Sequence, residues 1–201
     1  MAGAFGLRSG EVLPIYNASH SMRPFDRFHL AGIKTLNFGR RIAFGCKWTP
    51  RAAQTAALAR KEAAALKHDC VQEIHFTVAL GHLGEGLAAE HLKYLGFQYE
   101  RALAQAQAIV GTGTVTLEST SIPFSDGVRR IITVAKRFSL RDGLWYFGTE
   151  HLFLALLQEP DKLLRQLVEA KGLVLDAYRT ETENIYRETL KKRLLHSRPM
   201  A

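Results

Sequence analysis

Cysteine is scarce. The two in 201 residues, Cys46 and Cys70, form no CxxC pair, so neither a disulfide scaffold nor a paired-cysteine zinc or redox motif is expected, and a reducing compartment suits them. Long apolar runs are also missing. A bilayer span needs about eighteen such residues, and the richest stretch, LWYFGTEHLFLALL, is interrupted by Glu150 and His151, so membrane insertion is not expected. No GxxxxGK[ST] stretch occurs, which removes the phosphate loop of a nucleotide-driven motor. The GTGT at 111–114 has neither the glycine spacing nor the following helix that a phosphate cradle requires. The opening MAGAFGLRSGEVLPIYNASHSM lacks a charged segment followed by an unbroken apolar core. A secretory signal is therefore not expected, whereas an Arg-rich transit segment stays open. The expected location is cytoplasmic, or a plastid or other organelle stroma if the N-terminus is such a segment.

What is present is an ordinary globular composition with an uneven charge. The chain is 47% hydrophobic and 23% charged, with a net charge of +8, enough for one domain or two small ones. Residues 1–47 carry +5 and residues 187–201 carry +4, while 48–186 carry −1. Basic arms of this kind are either solvated termini or docking elements for nucleic acid, an anionic membrane surface or an acidic protein. The first arm also holds Phe5, Tyr16, Phe25, Phe28, Phe38 and Phe44, more aromatics than a flexible tail usually carries, and part of it is expected to pack on the bundle or on a partner.

The middle of the chain is written twice. WTPRAAQTAALARKEAAALKHDCVQEIHFTVAL (48–80) aligns with FSDGVRRIITVAKRFSLRDGLWYFGTEHLFLAL (124–156) at a constant offset of 76, matching Trp48 with Phe124, Thr49 with Ser125, His75 with His151 and Leu80 with Leu156. A repeated unit fixes the fold reading before any single element does. Thr49 and Ser125 are short hydroxyl residues suited to accept from first-turn amides, and Pro50 suits a first helical position. Helices are predicted over 50–67 and 126–139, 73–82 and 149–158 (with Thr149 as an N-cap), 86–94 and 161–171, and 98–110 and 175–194. Ala53, Ala56, Ala57, Ala63 and Ala64 provide small residues for close packing of the first. Gly96 and Gly172 are stop signals. The expected architecture is all-α: two tandem four-helix repeats (48–111 and 124–190) joined by a Gly/Ser/Thr-rich linker (112–123). The extension 1–47 precedes them and a basic tail (191–201) follows.

FGTEHLFLALL, the WTPRA and FS helix starts, GEGLAAEHLKYLG and the 76-residue repeat together resemble the Clp N-terminal domain, over about three quarters of the chain. That module stands at the front of Clp-family AAA+ unfoldases such as ClpA, ClpB and ClpC, and also occurs in stand-alone accessory proteins. The resemblance implies a non-enzymatic module that binds substrates or adaptors for a Clp unfoldase or protease ring. In the ClpC branch it implies a phosphoarginine pocket in each repeat. The glutamate of GTEH receives the guanidinium and the capped helix start helps to hold the phosphate, as paired charge-assisted bonds and helix-terminal amides would allow. Carried over within each copy, Glu150 and Ser125 complete the second pocket. In the first, Thr49 remains but Ile74 stands at the glutamate's place and Glu73 is one residue out, about 100° around a helix, so that pocket is expected to be lost. With no phosphate loop, and with LKKRLLHSRPMA continuing a basic helix to the end, a stand-alone accessory protein is the expectation. A scaffold or nucleic-acid-associated subunit using the basic termini is the alternative.

The remaining candidates are structural. Glu150 and His151 are helix neighbours pointing about 100° apart and cannot converge on one atom as an acid–base pair, so no catalytic residue is assigned. His75 and His151 occupy matching places, which argues for structure. Glu150 either caps or pairs locally or receives a ligand cation. His75 and His82 stand about 10 Å apart along a helix, too far for one zinc ion, and no metal or cofactor is expected. Cys70 is read as a small buried side chain.

Overall fold

The computed structural model describes residues 46–196. All of the N-terminal extension but Cys46 and Lys47, and the last five residues of the tail, lie outside the described residues. So does the expectation that the extension packs on the bundle.

Eight helices carry the described chain: α1 (Pro50–Ala65), α2 (Glu73–Leu83), α3 (Leu87–Tyr94), α4 (Tyr99–Val110), α5 (Asp126–Arg141), α6 (Thr149–Gln158), α7 (Lys162–Ala170) and α8 (Leu175–His196). The 76-residue offset is kept to the residue at the starts of α1 and α5, α2 and α6, and α4 and α8, and at the ends of α3 and α7. Local chemistry sets several of these limits. Thr49 Oγ1 accepts from Ala52 N at 3.2 Å and Ser125 Oγ from Val128 N at 3.1 Å, each satisfying an amide that a helix start leaves without an intrahelical partner. Gly96 and Gly172 follow α3 and α7 with φ of +83° and +75°, the left-handed stop for which a β-carbon is costly.

The core lies around α2 and α6. From Leu152 to Leu157 six consecutive residues are buried, so α6 meets protein on every side rather than along one stripe. Phe76, Phe153, Leu80, Leu152 and Leu156 are among the largest fully buried side chains, each stabilising the fold by about 1.5–3 kcal/mol on transfer from water. Against α2 lies a strip of small residues on α1, Ala52, Ala56, Ala59 and Ala63, all buried, at the helical spacing that makes one face. Of the alanines expected there, Ala56 and Ala63 are on that face, Ala64 is half-buried, and Ala53 and Ala57 are exposed. The i, i+3/i+4 register therefore runs through Ala52 and Ala59 instead.

Two repeats that only touched could slide; polar ties fix these. Asp161, the N-cap of α7, accepts from Leu163 N and Leu164 N through one oxygen, at 2.9 and 3.1 Å, and from the Thr77 hydroxyl of α2 through the other. The linker also does more than span. Gly113 N and Val115 N donate to Leu66 and Lys67 carbonyls at 2.8 and 3.1 Å, and a short 3₁₀ turn (Ser119–Ser121) leads to the buried Ile122. Cys70 is half-buried and Cys46 donates to or accepts from Ser139 Oγ at 3.3 Å; both are free thiols.

Candidate functional site

Two very short parallel strand pairings decide where the predicted site residues meet. β1 (Lys47–Trp48) pairs with β2 (Tyr146–Phe147), Trp48 opposite Phe147, and Thr49 N donates to Phe147 O at 3.0 Å. The other is a bridge between Val71 and Phe124, after which Ser125 N donates to Val71 O at 2.9 Å. Each joins the start of the first helix of one repeat to the start of the second helix of the other. Thr49 is thereby brought to Gly148–Glu150, and Ser125 to Glu73.

This corrects the grouping within copies. Ser125 and Glu150 stand at opposite ends of a helical hairpin. The 16-residue α5 alone separates them by about 24 Å at about 1.5 Å per residue. The same geometry parts Thr49 from Glu73. Ile74, at the glutamate's place in the first copy, is 2% exposed and belongs to the core.

At the Thr49 junction the starts of α1 and α6 lie side by side. Trp48 and Phe147 pack with ring centroids 4.6 Å apart. Half-buried Glu150 lies in the first turn of α6, where its Oε2 accepts from the Thr149 hydroxyl at 3.3 Å. A β-carbon on Gly148 would come within 2.5 Å of that oxygen, so glycine is what lets the carboxylate fold back over the helix start. Thr149 is therefore the first helical residue and Gly148 the N-cap, not Thr149 as the sequence suggested. Arg51 approaches from α1, paired with Glu85 at 3.1 Å, and Gly86 lies between Arg51 and the Thr149 hydroxyl. Exposed Arg51 with its partner Glu85, two helix starts and half-buried Glu150 thus stand together. The arrangement can receive an anion at the amides and Arg51, and a planar cation at Glu150.

The Ser125 junction has the same frame and different contents. Gly127 takes the place of Arg51, and a β-carbon on it would overlap the Glu73 carboxylate. Glu73 therefore lies against the first turn of α5, the end of a helix that favours a negative charge. Beneath it the Arg60 guanidinium covers the Phe124 ring at 4.1 Å and its Nε donates to Ile122 O at 3.2 Å. The anion at this helix start is thus the chain's own Glu73 carboxylate.

The repeated histidines are part of the frame. His151 Nδ1 accepts from Gly148 N at 3.0 Å, so its Nε2 carries the hydrogen and donates to Tyr186 Oη at 2.8 Å. His75 Nδ1 accepts from Gln72 N at 2.9 Å, and its Nε2–H donates to His68 Nδ1 at 3.0 Å; His68 Nε2–H in turn donates to Gly111 O at 3.2 Å. Both histidines occupy the third helical position and satisfy the N-cap amide, as Glu or Gln does in a capping box. Burial lowers the His75 pKa to about 4, with the neighbouring His68 acting in the same direction, and it lowers that of His151 as well. Sequence reasoning missed Arg51 and Gly127, whose only signal was that the second position of a repeated helix start changes from a cation to glycine.

Profiles of known families complete the picture. The model of the Clp repeat (R) N-terminal domain matches residues 47–170 and again 123–199. The chain belongs to the Clp repeat N-terminal domain family. Among curated Clp proteins it is 29% identical over 140 residues to the "Negative regulator of genetic competence ClpC/MecB" of Bacillus subtilis, covering 70% of this chain and 17% of that protein. It is 29% identical over 196 residues to the chloroplastic chaperone protein ClpC2 of Oryza sativa, covering 94% and 20%. The chain thus spans about one fifth or less of the length of these relatives. The crystal structure of the Arabidopsis thaliana ClpD N-terminal domain superposes with a TM-score of 0.56 at 20% identity, over 69% of this chain and 93% of that one. The Candida albicans Hsp104 N-terminal domain does so with a TM-score of 0.54 at 17% identity, over 68% and 89%. These Clp-type N-domains share its all-helical fold. Among the described residues, no helix is long and apolar enough to cross a membrane.

Proposed function

We propose that this chain is a non-catalytic receptor in a Clp-type unfoldase or protease system, binding a substrate or adaptor protein at the Thr49–Glu150 junction. The carrying observation is that junction: Arg51 and the capped start of α1 stand beside the half-buried Glu150 carboxylate held over the start of α6. A ligand with a phosphate next to a planar cation, such as phosphoarginine, matches it group for group. Catalysis is disfavoured because His151, next to Glu150, has both ring nitrogens engaged in structural bonds. The family and its chloroplastic ClpC relatives support work beside a Clp ring in a cytoplasm or an organelle stroma.

The regrouping makes the test sharp. Glu150→Ala removes one charge-assisted pair, about 1.5–3 kcal/mol, and should weaken binding of a phosphoarginine peptide roughly ten- to hundredfold. Ser125→Ala, at the other junction, should leave it unchanged. Calorimetric titration of the intact chain decides: equal affinity for wild type and Glu150→Ala refutes the site, and a loss confined to Ser125→Ala would put the ligand at the other junction.

A further inference from the structure

The two repeats are not equally filled where they meet a second time. Between α3 and α8, Tyr178 shares a 2.9 Å hydrogen bond with His91 Nδ1, and the Tyr94 ring stacks on the Tyr178 ring at 6.5 Å and 15°. His91 and Tyr178 are fully buried. The offset of 76 carries Tyr178 to Ala102, His91 to Leu167 and Tyr94 to Ala170. These three line the pseudo-equivalent interface between α4 and α7, and there the structure opens a cleft of about 470 Å³. Three aromatic rings in one repeat pair are answered by two methyls and an isobutyl group in the other. The cleft is the space those rings would have filled.

Its rim is charged with one sign. Arg101 comes from α4 and Lys171 from the end of α7, glutamines line the rest, and no carboxylate is among the lining residues. We propose that this cleft docks a peptide segment of a partner protein in which an aromatic side chain is flanked by acidic residues. The ring inserts above Ala102, where the second repeat pair carries its own Tyr178, and the carboxylates meet Arg101 and Lys171. Aromatic anchors seated in small apolar pockets dominate the energetics of such contacts, and charges at the rim choose the partner. The chain's own aromatic segment 1–45 is another source of rings, but it carries six basic residues against two acidic ones and would bring like charge to Arg101 and Lys171. The site is distinct from the Thr49–Glu150 junction, and its ligand needs no arginine.

The test uses the full chain and a labelled peptide, Glu-Asp-Tyr-Asp-Glu, followed by fluorescence anisotropy. Saturable binding is expected, falling at least tenfold when the peptide tyrosine becomes alanine and about fivefold or more with Arg101→Glu. Ala102→Tyr rebuilds the missing ring and should abolish binding while circular dichroism stays native. Ala170→Tyr, at the exposed rim, makes the same test without burdening the core. Absence of saturable binding to the wild type overturns the proposal, as does undiminished binding to both tyrosine variants. Tighter binding of a synthetic peptide covering 20–45 than of the acidic peptide would overturn the choice of occupant.

Discussion

His151→Ala is expected to destabilise the fold by about 3–5 kcal/mol, a large share of the 5–15 kcal/mol that a domain of this kind possesses. The imidazole is completely buried and ties Gly148 N to Tyr186 Oη, joining the start of α6 to α8. Removing it strands both groups away from water at about 1–3 kcal/mol each. It also leaves a cavity in a fully packed region, where the loss grows with the volume vacated. His151→Gln separates the two effects: glutamine at the third helical position can still reach the N-cap amide, so this variant should lose about half as much. Urea unfolding midpoints of the three proteins check the order. Equal midpoints for the alanine and glutamine variants would mean that the amide bond contributes nothing and that volume alone matters.

The same histidine shows what the sequence made legible. His75 and His151 stand at one offset, and a side chain repeated in both copies of a duplicated bundle speaks for the frame, not for a ligand. Two helix starts and two stops were equally legible, since Thr49 and Ser125, and Gly96 and Gly172, act within a turn of their own position. The pairing of the copies was not. It depends on Trp48 meeting Phe147, two residues of ladder between segments almost a hundred positions apart, and no local propensity encodes such a contact. A sequence aligned repeat on repeat groups Ser125 with Glu150. The antiparallel hairpin of α5 and α6 drives them to opposite ends, and the strand pairings then supply Thr49 in Ser125's place.

The contents of each junction follow from single substitutions inside a shared frame. Arg51 and Gly127 are equivalent positions, and so are Ile74 and Glu150. At one junction the cation at the start of α1 and the half-buried Glu150 are both present. At the other, glycine opens room on α5 and Glu73, rotated away from the core position that Ile74 takes, lies in it. A carboxylate that rests on a helix start relieves its own exposure and competes with any incoming anion. One repeat junction has thereby set its own carboxylate against the first turn of α5, while the other presents the exposed guanidinium of Arg51.

Acid is expected to unfold the protein well above the pH at which carboxylates dominate. Burial lowers His75 and His91 to about 4, from an ordinary value of 6.5, and lowers His151 in the same direction. A folded pKa below the unfolded one means that the unfolded chain binds more protons between the two values. The stability held by these neutral rings is therefore complete above about 6.5 and is lost as pH falls towards 4. For His75 and His91 the shifts correspond to about 3 kcal/mol each as an order of magnitude. Geometry gives the reason: a proton added to His75 Nδ1 or His151 Nδ1 would face the Gln72 or Gly148 N–H it now accepts from. Around His151, Glu150 and Asp142 favour the charged ring, yet desolvation, with Arg141 acting in the same direction, outweighs both. Thermal midpoints measured at pH 7.5, 6.5, 5.5 and 4.5 should be nearly equal in the first pair and fall steeply in the second. His75→Gln, which keeps an acceptor for the Gln72 amide but cannot titrate, should flatten the fall by about one proton's slope. A midpoint unchanged from pH 7.5 to 4.5 would show that these rings are protonated in the fold without cost, and that the neutral hydrogen-bond chains described above are wrong.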